Sequence, residues 1–293
     1  TEVVVAIFDQ MDVGKASAVI DVLSTAKGVM VMTQVVAAKA ASLLELVGDV
    51  KAGAILTSVP LKSRTDIVQN MTEVSLLSKL PQVTPASLFE LDATLLLKKL
   101  PNAPVEQLVV ETVPTVSASL VGAVGTEISP GKNVYKLPDT GEMEWVALVS
   151  SPKPIDKVLA RFGEKQTNVE IEVNNLSTAP AGASPLPLGS VISDYLSIDV
   201  KGSASGKVAQ GHVTFTVDAD WVEANDIHKW SVFLYRLDES ANTWERIATK
   251  RIREDSEKIY YTAAIPGFST FAIAGSETVP TNQFEVSNLN LSS

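Results

Sequence analysis

The stretch Lys15-Ala16-Ser17-Ala18-Val19-Ile20-Asp21-Val22-Leu23-Ser24-Thr25-Ala26-Lys27-Gly28 opens a pattern that returns every twelve residues and governs the first part of the chain. Lysine recurs at Lys15, Lys27, Lys39 and Lys51, each followed by a small residue: Ala16, Gly28, Ala40 and Ala52. Three apolar rows keep the register: Val19, Val31, Leu43, Ile55, Ile67; then Ile20, Met32, Leu44, Leu56, Val68; then Leu23, Val35, Val47, Val59, Met71. Within each unit the apolar residues fall three, four and seven apart, the one-face spacing of an α-helix. Twelve residues hold about two turns and a tight connection. Helices that short are unstable alone, so the units are expected to stack on their neighbours, the small residues permitting close approach. The lysines read as solvated stems over the outer face. Past Pro81 the repeat loosens, Pro85, Pro101 and Pro104 mark helix starts or stops, and Leu88 to Leu100 is expected as the longest remaining helix.

The composition changes near Thr112 to Ser117. Only Phe8 and Phe89 are aromatic before that point, while all four Trp and all five Tyr follow it. Ala, Leu, Val and Lys suit short helices, and the later Thr, Val, Tyr, Trp, Gly and Pro suit strands and turns. The chain is therefore read as an α+β multidomain protein. An N-terminal α-helical repeat array spans residues 1–112, an antiparallel β-sandwich region 113–277, and a C-terminal tail 278–293, with a hinge at Pro114. The Pro- and Gly-rich segment 179–190 divides the β region into two subsections. Val213, Phe215 and Val217 alternate with Thr214, Thr216 and Asp218, which places one strand face inward and one in water. Trp221, Trp230, Trp244, Tyr235, Tyr260 and Phe268 read as the aromatic core, with a sugar-stacking platform as the functional alternative.

The run Pro266-Gly267-Phe268-Ser269-Thr270-Phe271-Ala272-Ile273-Ala274-Gly275 follows Tyr260 and Tyr261. Together with VTFTVDADWVEANDI (213–227), SVFLYRL (231–237) and NTWERIATKRI (242–252), it resembles the archaeal PGF-pre-PGF domain of secreted and cell-surface proteins. The resemblance covers roughly residues 144–275. It implies an extracellular, cell-surface location and a β architecture, not a reaction. Members of that group are commonly linked to a C-terminal anchor and membrane segment, neither of which occurs in these residues. Removal and attachment through other subunits both fit.

A net charge of −10 repels nucleic-acid phosphates and anionic lipid heads, and no Lys/Arg cluster overcomes it. No apolar run reaches the ~18 residues of a membrane helix. With no cysteine, disulfides and thiolate chemistry are excluded, and stability must come from packing or assembly. His212 and His228 stand in no zinc-ligand spacing, and the glycines of Gly202 to Lys207 (GSASGK) suit a hairpin turn better than a phosphate loop. Asp218 and Asp220, read on the same side of a strand, could with Glu223 and Asp226 hold calcium through oxygen ligands, although such acidic residues are usually just solvated. No catalytic residue, metal site or cofactor is assigned, and the chain is not read as an enzyme. The sequons at Asn70, Asn175 and Asn290 are glycan acceptors if the protein is exported.

Two terminal segments are assembly candidates. Glu2 to Phe8 is β-branched and apolar, with Val3, Val5 and Ile7 on one face if it is a strand; the other reading makes it the first helix. Phe284 and Val286 give the tail an apolar pattern able to add a strand to a sheet edge, in its own molecule or the next; the other reading is a frayed linker. The expected function is a structural subunit of an archaeal sheath, surface layer or filament. Its partners are copies of itself and other envelope components. The alternative is a monomeric adhesin or carbohydrate-binding module, and a third is an extracellular hydrolase.

Overall fold

A computed structural model describes residues 2–109, 121–129, 133–137, 139–149, 153–201 and 208–280. The protein is α+β, with helices in its first part and two sheets in its second. The helices are α1 (Glu2–Gln10), α2 (Val13–Val22), α3 (Thr25–Met32), α4 (Ala37–Leu46), α5 (Asp49–Ser58), α6 (Leu61–Asn70) and α7 (Glu73–Lys79). A 3-10 turn at Leu80–Gln82, then α8 (Pro85–Leu88), α9 (Ala93–Lys99) and α10 (Val105–Leu108) complete this part.

From α2 to α8 the helices start at residues 13, 25, 37, 49, 61, 73 and 85, each twelve after the last. The start signals are local. Asp12, Ser24, Thr72 and Asp92 accept from backbone N–H groups of the first turns they precede, and Pro60 and Pro104 stand directly before helices. Each helix packs mainly on the one two units away: α2 on α4, α4 on α6, α3 on α5 and α5 on α7. The three apolar rows are buried there, except Val19 and Leu23, which are partly covered.

Three expectations need correction. Leu88 to Leu100 is not one helix: Asp92 accepts from Thr94 N at 2.8 Å and starts α9 afresh, because a short carboxylate competes for backbone donors. Val3, Val5 and Ile7 lie in α1, so of the two readings of this segment the helix holds and the strand does not; α1 packs on α3, which offers no strand edge to pair with. The lysines are not all solvated. Lys39 Nζ donates to Met11 O at 2.8 Å, Lys51 Nζ to Leu23 O, and Lys99 Nζ to Met71 O at 3.0 Å, each spanning 28 residues. A cation thus meets a carbonyl just past the end of the helix three before its own, α4 on α1, α5 on α2 and α9 on α6, where the helix dipole favours positive charge. Lys15 and Lys27 are exposed, as expected.

The sheets are built from β1 (Val121–Val124), β2 (Thr126–Ser129), β3 (Val134–Lys136), β4 (Trp145–Val149), β5 (Ile155–Phe162), β6 (Glu170–Leu176) and β7 (Val191–Lys201). β8 (Val208–Asp218), helix α11 (Ala219–Ala224), β9 (Phe233–Asp238), β10 (Thr243–Ile247), β11 (Thr249–Glu254), β12 (Lys258–Ile265) and β13 (Thr270–Gly275) follow. One sheet has the order β1-β4-β5-β8-β12-β11, the other β10-β9-β13-β7-β6-β3-β2. All pairings are antiparallel except β1 with β4. Alternate residues of both sheets meet in one apolar core that includes Phe162, Phe215 and Tyr261 of the first and Leu196, Leu234 and Phe271 of the second.

Segment 179–190 joins β6 and β7, which are neighbours in a single sheet. Gly202 to Lys207 lies outside the described residues; its flanking strands β7 and β8 belong to different sheets, so no hairpin joins them. The hinge at Pro114 also lies outside them. Near the tail boundary, Ser231 Oγ donates to Thr278 O, and Pro280 is buried. The aromatic core differs from expectation as well. Trp230 is fully buried, but in the core of the helices. Tyr235 and Trp244 belong to a separate outer cluster, and Tyr260 is half-buried under Arg253, 3.8 Å from the ring centroid.

Candidate functional site

Two places bring distant parts of the chain together. The first is the joint between helices and sheets, centred on β11, an edge strand of the six-stranded sheet. An edge strand leaves backbone groups unpaired. Here a side chain substitutes for the missing strand: buried Gln107 of α10 donates from Nε2 to Thr249 O at 2.7 Å and accepts from Arg251 N at 3.2 Å. Arg251, 1% exposed, donates from Nη1 to Pro81 O and from Nη2 to Val83 O beside the 3-10 turn, and pairs with Glu254 at 3.0 Å. Glu254 also pairs with Lys229 at 3.2 Å. Buried arginine is tolerable because carbonyls and a carboxylate satisfy its donors.

Lys250 is inserted beside them. Its ammonium donates to Val109 O and stands 4.2 Å from the centroid of the Phe89 ring, while burial lowers it to about 8. His228, in the loop between α11 and β9, bridges to the helices. Its Nε2 lies 3.0 Å from Leu77 O, and its Nδ1 accepts from Trp230 N at 3.2 Å. One nitrogen faces an acceptor and the other a donor, so the ring is the neutral Nε2–H tautomer. Burial, helped by Arg251, lowers its proton affinity against the opposing effects of Leu77 O and Asp49. Trp230 plugs the helical core, its indole N–H without an acceptor among the described residues. Chemically this joint is a lock that fixes two unlike halves in one orientation.

The second place is a cleft of about 340 Å³ on the outer face of the seven-stranded sheet. Phe233 and Tyr235 of β9 form its floor, Trp244 and Arg246 of β10 one wall, and Pro187 and Leu188 another. Trp244 is held by Nε1–H donating to Ser184 O at 2.9 Å and by Tyr195, whose ring centroid is 5.9 Å away. Arg246 stands 4.4 Å from the centroid of the Phe233 ring and makes no hydrogen bond or ion pair among the described residues. Burial pushes the Tyr235 phenol up, against Ser190 and Arg246. Leu188 is fully exposed. Sequence reading had Tyr235 and Trp244 as core or as a sugar platform and missed Phe233, Arg246 and the Pro187–Leu188 wall, because Phe233-Leu234-Tyr235 is apolar on both faces and period-two alternation cannot say which face is inner.

Other expected sites stay apart. His212 is buried in β8 with Trp145 against it at 5.4 Å, and burial, then Arg161, lowers its proton affinity. Asp220 lies on α11, not on the strand with Asp218, and Asp218 accepts from Lys258 Nζ at 3.1 Å. Among the described residues no group of three or more His, Asp or Glu could hold a metal ion. Asn175 is exposed at the end of β6 and donates to Lys153 O. Asn70 ends α6, is exposed together with Thr72 on either side of the buried Met71, and donates to Asp66 O at 2.7 Å. Asn290, Phe284 and Val286 lie outside the described residues. Among the described residues no helix is long and apolar enough to cross a membrane.

No protein-family model matches the chain, and no curated protein matches it. The resemblance to the PGF-pre-PGF domain rests on the quoted residues alone.

Proposed function

We propose that this chain is a structural subunit of an archaeal extracellular assembly, a sheath, surface layer or filament, and that it acts by self-association. In this reading the helices form a repeat array, the two sheets form a sandwich, and the protein is exported to the cell surface as the PGF-pre-PGF resemblance implies. The observation that carries the reading is the joint around Arg251 and Gln107. Such a lock holds two unlike surfaces at a fixed angle, and head-to-tail contact between unlike surfaces of identical chains builds an open array when the rotation does not close. Two apolar features suit such contacts: a cleft on α1 lined by Ala6, Ile7, Gln10 and Met11, and the exposed Leu188.

Light scattering after size exclusion, with negative-stain images, tests this. Concentration-dependent polymers are expected; a particle staying at 31.2 kDa at high concentration overturns the reading. The alternative, a monomeric surface adhesin or carbohydrate-binding module, is favoured by the aromatic cleft. Rings beside a guanidinium suit a sugar, and glycan-array binding lost in Trp244→Ala by a monomeric protein would establish it.

A further inference from the structure

The run of helices is covered at one end and open at the other. At the far end α8 and α10 lie on β11, and Arg251 reaches the carbonyls of Pro81 and Val83. At the near end the same apolar rows come uncovered: Ile7, twelve residues before Val19, is 52% exposed, Val19 is partly covered, and Val31 is 2% exposed. Met11 and Leu23 are likewise partly covered, whereas Val35, Val47, Val59 and Met71 of that row are buried. A repeat that ends in water turns a polar face outward, and α1 shows Ala6, Ile7 and Met11 there instead.

The lysines lack partners in the same place. Lys39, Lys51 and Lys99 each reach a carbonyl 28 residues back, while Ser63, Ser75 and Ser87 hold that position in the units between. Lys15 in α2 and Lys27 in α3 have no helix three before their own. Both are exposed, with no side-chain hydrogen bond or ion pair among the described residues. Each helix packs on the one two units away, so α1 and α2 each lack a neighbour on their outer side. Two added helices in the register of the repeat would meet all four deficits: the first would cover α1 and offer a terminal carbonyl to Lys15, the second would cover α2 and offer one to Lys27. The C-terminal end of a helix, with unpaired carbonyls and the negative end of its dipole, is what a free ammonium group favours.

We propose that this face takes a pair of short helices of the same twelve-residue repeat, carried by a partner protein, whose terminal carbonyls accept from Lys15 and Lys27. This does not rest on the self-association reading, and it leaves Leu188 for contacts between copies. A second copy offers no such pair: its Met11 O, Leu23 O and Met71 O already accept from its own lysines, and its last helices lie against β11.

The probe is the full chain lengthened by a second copy of its own residues 1–24 placed ahead of Thr1. The added Met11 and Leu23 then stand 28 residues before Lys15 and Lys27, the spacing of the existing bonds, and the added Ser24 precedes Thr1 as it now precedes Thr25. Amide hydrogen exchange across Phe8 to Val22 should slow on the order of tenfold or more against the parent chain, as end helices become interior ones. Lys27→Met and Ile7→Glu should each relieve part of that slowing, yet leave the melting temperature and exchange of the parent chain unchanged. Exchange at the parent rate in the lengthened chain overturns the docking of such a pair. Slowing that neither substitution relieves overturns the lysine register and the α1 face. Exchange that slows in the parent chain as its concentration rises places a second copy here and overturns the partner. Slowing in the lengthened chain that both substitutions relieve, with parent exchange independent of concentration, supports it, even in a chain that stays monomeric.

Discussion

The side-chain amide of Gln107 pairs with the backbone of Arg251 as a neighbouring strand would, at 3.2 Å, while its other end holds Thr249 O at 2.7 Å. One helical residue thereby closes a sheet edge, and Arg251 returns the contact through the carbonyls of Pro81 and Val83. The helices and the sheets are locked from both sides.

Removing either half of that lock should be severe. Gln107→Leu leaves two buried backbone groups unpaired, about 1–3 kcal/mol each. Arg251→Met leaves two buried carbonyls without their donor, about 1–3 kcal/mol each, and Glu254 with Lys229 as its remaining cation. Urea denaturation of the parent chain should give one transition, and the variants two, as the halves uncouple. A biphasic parent curve would mean that the joint does not hold the halves as one unit.

Packing between helices makes a sharper comparison. A Cβ on Gly53 would lie 2.3 Å from Gln82 Cβ and 2.7 Å from its backbone carbon, whereas one on Gly28 meets side chains alone, Ile55 Cδ1 at 2.8 Å and Cγ1 at 3.3 Å and Ile20 Cγ2 at 3.8 Å. Gly53→Ala should therefore destabilise by about 1–3 kcal/mol, as should Ala40→Leu, whose site is fully buried. Gly28→Ala should cost less than Gly53→Ala, because it presses on the side chain of buried Ile55 and not on backbone, and alanine favours the helix by up to about 1 kcal/mol. Equal melting temperatures for Gly53→Ala and Gly28→Ala would contradict this packing.

Acid should loosen the joint. The folded state lowers the proton affinity of His228, so below its ordinary value of about 6.5 the unfolded chain binds more protons and stability falls with pH. His212 is shifted the same way by burial and Arg161. The melting temperature should drop between pH 7 and pH 5, and His228→Gln, which keeps an N–H for Leu77 O, should reduce the slope. An unchanged slope in that variant would assign the effect to His212 or to carboxylates.

The twelve-residue spacing, the buried rows and the passage from helices to strands were legible in the sequence because each is local. Helical periodicity, N-capping and the shift from Ala and Leu to Thr and Val act over a few residues. The lysines carried a further signal, since Lys99 falls four units after Lys51 in the same register and makes the same kind of carbonyl bond. Its meaning appears only when helices three apart along the chain are brought together.

Residue order alone therefore determined most of the helices and strands and most of the residues that fill their faces, but left Glu2 to Phe8 open between helix and strand and did not show the break at Asp92. Tertiary structure decided what those segments meet: that Trp230 leaves the sheets for the helical core, that Phe233 and Tyr235 turn outward, and that Gln107 closes β11. The reason is physical. Gln107 and Thr249 stand 142 residues apart, and a contact of that separation follows from the packing of whole elements, leaving no periodicity along the chain.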